Sequence, residues 1–155
     1  MIEREYASST NSTQQTLSIV VDASPEKVFE YLTTTDGISS WFPELSFKNS
    51  DAILFNMGNG QVERLEIYAL NKNERLSFDW FTGKATFHLS EYDGKTKLIF
   101  NEVVPNTFQN IARDFAGWDK HLKNIKNVIE TGSIEEMDMT AFKKQQHKIK
   151  TELDL

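Results

Sequence analysis

The chain contains no cysteine. Disulfides, thiolate metal sites and a cysteine nucleophile are therefore excluded, and the composition suits a reducing compartment, the cytoplasm. Proline is scarce at 3 residues in 155, and glycine reaches only 7. No phosphate-cradling loop, dinucleotide fingerprint or Gly-x-Ser-x-Gly elbow is present. No stretch approaches the roughly 20 apolar residues of a membrane span. The opening, MIEREYASSTNSTQQ, has no apolar run of signal-peptide length. Positive charge is also in deficit, with 17 Lys and Arg against 23 Asp and Glu and a formal net charge of -6. A nucleic-acid binder needs clustered basic residues to replace phosphate counterions, so no nucleic-acid partner is expected. The 3 histidines, His88, His121 and His147, share no ligand spacing, and neither a metal nor another cofactor is expected.

Aromatic surface is what the chain has in quantity. Aromatic residues make up 12% of it, with 11 phenylalanines. A chain of this length fits one domain with a sizeable core. That many rings can wall a cavity as readily as they fill a core.

Three segments are expected: a flexible, Ser/Thr-rich lead-in over residues 1–13, a folded domain over 14–132, and a charged, helix-compatible tail over 133–155. TLSIVV alternates Leu17, Ile19 and Val21 on one face, the mark of a half-buried strand. In DASPEKVFEYL, Ser24 can cap, Pro25 suits the first helical turn and Glu26 favours the positive end of the dipole. Asp36-Gly37 either closes this helix or begins a short second one, through ISSWF to Pro43. Two short strands around Asn49-Ser50-Asp51 follow, then QVERLEIYAL, RLSFDWF, KATFHLSEY and TKLIFNEVV. The intervening turns give an antiparallel meander. Beyond Pro105 the period changes. Ile111, Phe115, Trp118, Leu122, Ile125 and Ile129 form one helical stripe ending near Gly132, a C-cap residue. Such a stripe must lie on the apolar face of the sheet.

This order is the α+β helix-grip arrangement, a curved antiparallel sheet around a long C-terminal helix. VDASPEKVFEYLTTTDGISSWF resembles the opening of the START-like (SRPBCC) superfamily, in the branch of homologues of the activator of the heat-shock-90 ATPase. The carrying residues are Ser24-Pro25, Val28-Phe29 and Trp41-Phe42. Three later phrases resemble that branch too: Arg75, Leu76, Phe78 and Trp80; Thr96, Leu98, Phe100 and Glu102; and Gly117, Trp118, Leu122 and Ile125. The segment between Pro43 and Gly60 lacks the family's Gly-rich hairpin phrase, and the tail past Gly132 has no counterpart. The resemblance implies a pocket between sheet and long helix, lidded by that helix. It also implies two alternatives: a chaperone-associated, protein-binding module, and an enzyme of the cyclase or hydrolase kind. Fold alone does not choose among them.

Each candidate has two readings. Trp118 is either core or cavity wall. Trp41 and Phe42 either anchor their short helix or line a pocket mouth. Glu102, in phase with Leu98 and Phe100, either faces inward with a raised pKa or lies past the end of its strand in solvent. Alternation turns His88 outward, while His121 falls toward solvent or the rim. The expected ligand is a hydrophobic or amphipathic small molecule or lipid. Its expected cavity is walled by Trp41, Phe42, Phe78, Trp80, Phe87, Phe100, Glu102, Phe115, Trp118 and Leu122. No catalytic constellation is visible.

Overall fold

A computed structural model describes residues 1–155. Its strands are β1 (Glu3–Ser8), β2 (Ser12–Val21), β3 (Leu45–Lys48), β4 (Ala52–Gly58), β5 (Gln61–Asn71), β6 (Arg75–Trp80), β7 (Gly83–Tyr92) and β8 (Lys95–Pro105). Its helices are α1 (Pro25–Thr33), α2 (Thr35–Ser39), α3 (Ile111–Thr131) and α4 (Met139–Leu153). The eight strands form one sheet in the order β1-β2-β8-β7-β6-β5-β4-β3. Every neighbouring pair is antiparallel. This is the α+β helix-grip fold.

Local chemistry explains the elements. The Ser24 hydroxyl accepts from the Lys27 amide at 3.2 Å, and Pro25 opens α1. Thr34 caps α2 in the same way through the Gly37 amide at 3.0 Å. Gly37 is needed there because a Cβ would lie 2.5 Å from the Glu30 carbonyl oxygen. Asp93 and Gly94 take positive φ in the β7–β8 turn. Gly132 ends α3 in the left-handed region, its amide bonding the Val128 carbonyl. The inner faces of β2, β6, β7 and β8 meet Trp118, Leu122, Ile125 and Ile129 of α3 in the main core.

The N-terminal expectation needs correction. Residues 3–8 are an edge strand, registered on β2 from Glu3↔Ser18 to Ser8↔Thr13. Polar composition concealed it, because both of its faces are largely exposed and only Ile2 beside it is buried. Arg4 ties the strand to α3 by donating to the buried Asp119 carboxylate from Nε at 2.5 Å and Nη2 at 3.1 Å. In the tail, Asp138 caps α4 through the Thr140 and Ala141 amides. Ile149 is buried with Val104, Ile111, Ala112, Phe115 and Ala116 in a second small core. The segment after Gly132 therefore packs onto the domain.

Candidate functional site

The ten residues picked out in the sequence separate into three groups. Trp41, Phe42, Phe78, Trp80, Phe87, Phe100, Trp118 and Leu122 do converge between sheet and α3. They fill that space themselves. The Trp118 ring centroid lies 4.4 Å from Phe100, 4.9 Å from Trp80, 5.7 Å from Phe42 and 6.1 Å from Phe87. Trp41, Phe78, Phe87, Phe100, Trp118 and Leu122 are each at most 1% exposed. Stacked and edge-on rings pack closely in the space between sheet and helix. Trp41 anchors its turn, with Nε1 donating to the Tyr31 carbonyl at 2.9 Å. Phe115 points elsewhere. It stacks on Tyr6 at 6.2 Å, within the small core under α4.

Glu102 is the third group. It is 0% exposed, paired in register with Gln15 on β2 and Ala85 on β7, so the strand runs through it and the inward reading holds. Gln15 Nε2 donates to Glu102 Oε1 at 2.8 Å. Its other neighbour is Asp114, in the first turn of α3, which the sequence reading passed over. Burial, then the adjacent Asp114 charge, holds the Glu102 carboxyl well above the usual carboxylate range. Burial also raises Asp114, opposed by its hydrogen bonds with Glu102 and with Trp80. Trp80 Nε1 donates to Asp114 Oδ1 at 2.8 Å. Two adjacent carboxyls in an apolar setting resist ionising together, and the stronger upward push falls on Glu102, so the pair's first negative charge belongs to Asp114.

Asp114 leads out to a groove of about 610 Å³, open to solvent, across the flank of α3. Phe55, Met57, Trp80, Phe81, Phe108 and Phe142 supply its apolar wall, with Asn110, Arg113, Asp114, Gly117, Trp118 and His121 along the helix. Two rim residues have left-handed backbones: Phe81 at φ 56° and Asn110 at φ 57°. For a bulky phenylalanine that conformation is uncommon. It lays the Phe81 ring 5.0 Å from Trp80 and 5.6 Å from Phe55. Gly117 lies in mid-helix with ordinary φ, and a Cβ there would meet nothing within 4 Å. Neither packing nor backbone geometry demands a glycine, although it costs the helix about 1 kcal/mol against alanine.

Two buried polar atoms without partners lie beside this groove, Trp118 Nε1 and His121 Nδ1, while Asp114 Oδ2 and Glu102 Oε2 have no partner besides each other. Native interiors leave few such atoms unpaired. His121 stacks face to face on Phe42 at 3.9 Å. Burial lowers its imidazole from 6.5 to about 4, so the ring is neutral at pH 7. Of the ten expected residues, Trp80 and Trp118 border the groove. A second hollow, about 260 Å³ between α3 and α4, is lined by side chains of both charges, including Lys120, Lys123, Glu135 and Glu136. No group of three or more His, Asp or Glu side chains is placed to hold a metal ion.

A sheet gripping one long helix, with a mixed aromatic and polar flank, defines a START-like helix-grip domain. More narrowly, the chain belongs to the family of Activator of Hsp90 ATPase homolog 1-like proteins, whose model matches residues 22–130. It is similar in structure to a conserved protein of unknown function from Enterococcus faecalis, EF2215, at 26% identity and TM-score 0.88. That match covers 97% of this chain and 92% of the other. It is similar also to Aha1 from Colwellia psychrerythraea, described as a dimer, at 24% identity and TM-score 0.66, covering 76% and 96%. CalU16 from Micromonospora echinospora shares the fold at 17% identity and TM-score 0.76, covering 99% and 98%. No curated relative matches the chain in sequence.

Proposed function

We propose that the protein binds a hydrophobic or amphipathic small molecule in the groove over α3, outside the packed ring cluster. The carrying observation is Gly117, a helix-weakening residue that leaves the floor of an aromatic groove open. The groove volume is in the range of small-molecule sites, and its apolar wall with a few polar groups has their character. The family's START-like fold supports the reading. A cytoplasmic location, suggested by the absence of cysteine, is part of the same proposal. No helix is long and apolar enough to cross a membrane.

The test is Gly117→Leu, whose Cβ meets nothing within 4 Å, whose side chain projects into the groove, and which replaces a poor helix former with a good one. Wild type should bind members of a lipid and aromatic-compound panel in a thermal-shift screen. The variant should keep or raise its melting temperature and lose those shifts. Equal binding by both proteins would refute the groove.

A protein-interaction role is the second reading. Val62 of β5 is exposed near the exposed Met57 of β4, and Tyr68 and Leu70 are exposed further along β5, giving these strands apolar surface. A pull-down recovering no partner, with or without residues 133–155, would count against it. The enzyme reading needs a polar pair in the site, and Glu102 with Asp114 is the candidate pair.

A further inference from the structure

The groove carries a charge problem that the protein does not solve by itself. Asp114 holds the negative charge of the Glu102–Asp114 pair, yet no Lys, Arg or His lies within ion-pair distance of it. A buried charge is ordinarily paired or fully hydrogen-bonded. Asp114 accepts the Trp80 indole N–H and the proton shared with Glu102. That fills two of a carboxylate's roughly four acceptor sites. The nearest cations do not compensate. His121 is neutral, and Arg113 is exposed at the rim without an ion pair. The groove that this carboxylate borders is also lined by the rings of Phe55, Trp80, Phe81, Phe108, Trp118 and Phe142. Aromatic faces are negative and attract ammonium groups, most strongly where water is displaced.

We propose that the groove's ligand is an amphipathic amine, its apolar body against the rings and its ammonium group on Asp114. The inference rests on the small-molecule reading of the same groove and adds the ligand's charge. Negative charge and ring faces act together on a cation, and both disfavour an anion. A neutral ligand would leave the carboxylate without its counter-ion.

Three probes with one ring system separate these cases: 2-naphthylmethylamine, 2-naphthalenemethanol and 2-naphthoate, titrated calorimetrically into the full chain at pH 7. The amine should bind about tenfold tighter than the alcohol or better, and the acid more weakly than the alcohol. Asp114→Asn keeps an acceptor for the Trp80 N–H and should bring the amine down to the alcohol's affinity while leaving the alcohol within about threefold. If the alcohol binds and the amine gains nothing, the amine inference falls and the small-molecule reading stands. Tightest binding by the acid would put Arg113 in control of selectivity and also overturn the inference. If no probe binds wild type, or Gly117→Leu leaves binding intact, the groove reading fails and takes this one with it. Should Asp114→Asn not fold, the wild-type ranking of the three probes decides alone.

Discussion

Replacing Glu102 by glutamine should stabilise the protein, and increasingly so as pH rises. The Glu102 carboxyl is fully buried, and burial with the Asp114 charge holds its pKa well above the ordinary 4.5. The folded state therefore keeps a proton that the unfolded chain releases once pH exceeds 4.5. Stability linked to this group is complete below 4.5 and is lost as pH climbs toward the raised folded value. The slope for one proton is at most about 1.4 kcal/mol per pH unit. Glutamine has no proton to lose. Its carbonyl can keep the bond from Gln15 Nε2, and its amide can donate to Asp114 where the carboxyl proton did.

The difference between variant and wild type should thus be small near pH 5 and grow by as much as about 3 kcal/mol by pH 7. In a chain of this size that corresponds to roughly 6–12 °C in Tm. Urea denaturation followed by tryptophan fluorescence at pH 5, 6 and 7 measures it directly. A difference that stays constant across the three pH values would refute the buried, proton-holding Glu102. So would a variant that loses ground as pH rises.

Two further predictions follow from the same packing. His121 acts in the opposite direction: its lowering to about 4 means that stability is lost as pH falls from 6.5, by about 3 kcal/mol in all. His121→Phe, which can keep the stack on Phe42, should flatten the acid limb of a pH–stability curve, and an unchanged limb would contradict the burial argument. Trp118→Ala should cost about 3–5 kcal/mol, roughly 6–20 °C in Tm, because the ring packs against at least four other aromatic side chains. Differential scanning calorimetry would check it, and a loss below about 1 kcal/mol would mean that the ring is not core.

Much of the fold was legible because it rests on local signals. Ser24-Pro25 starts α1, Asp93-Gly94 turns β7 into β8, and Gly132 stops α3, each with the geometry its residue type favours. Period-two alternation placed Leu98, Phe100 and Glu102 on one face, and all three are buried. β1 escaped because an edge strand with little burial needs no apolar alternation; its register comes from backbone pairing and from Arg4 meeting Asp119, 115 residues away. Phe115 was assigned to the wrong neighbours because its partners, Tyr6 and Ile149, come from that strand and from α4. Neither contact is local, and neither has a sequence pattern.

The groove was not legible for a related reason. An apolar stripe reveals one face of a helix, but α3 uses three. Trp118, Leu122, Ile125 and Ile129 meet the sheet; Ala112, Phe115, Ala116 and Asp119 meet α4 or β1; Asp114, Gly117 and His121 border the groove. The third set contains an acid, a glycine and a histidine, so it interrupts apolar periodicity and reads as ordinary helix surface. What distinguishes it is a carboxylate without a counter-ion at Asp114 and an unpartnered Nδ1 on His121, together with empty space where a Cβ at Gly117 would project. A surface helix gains nothing from glycine at such a position, whereas a helix that floors a binding groove gains room for ligand at a cost of about 1 kcal/mol. Trp118 then divides the two environments. Its ring seals the core against Phe100, while its neighbour Gly117 keeps the groove beside it open.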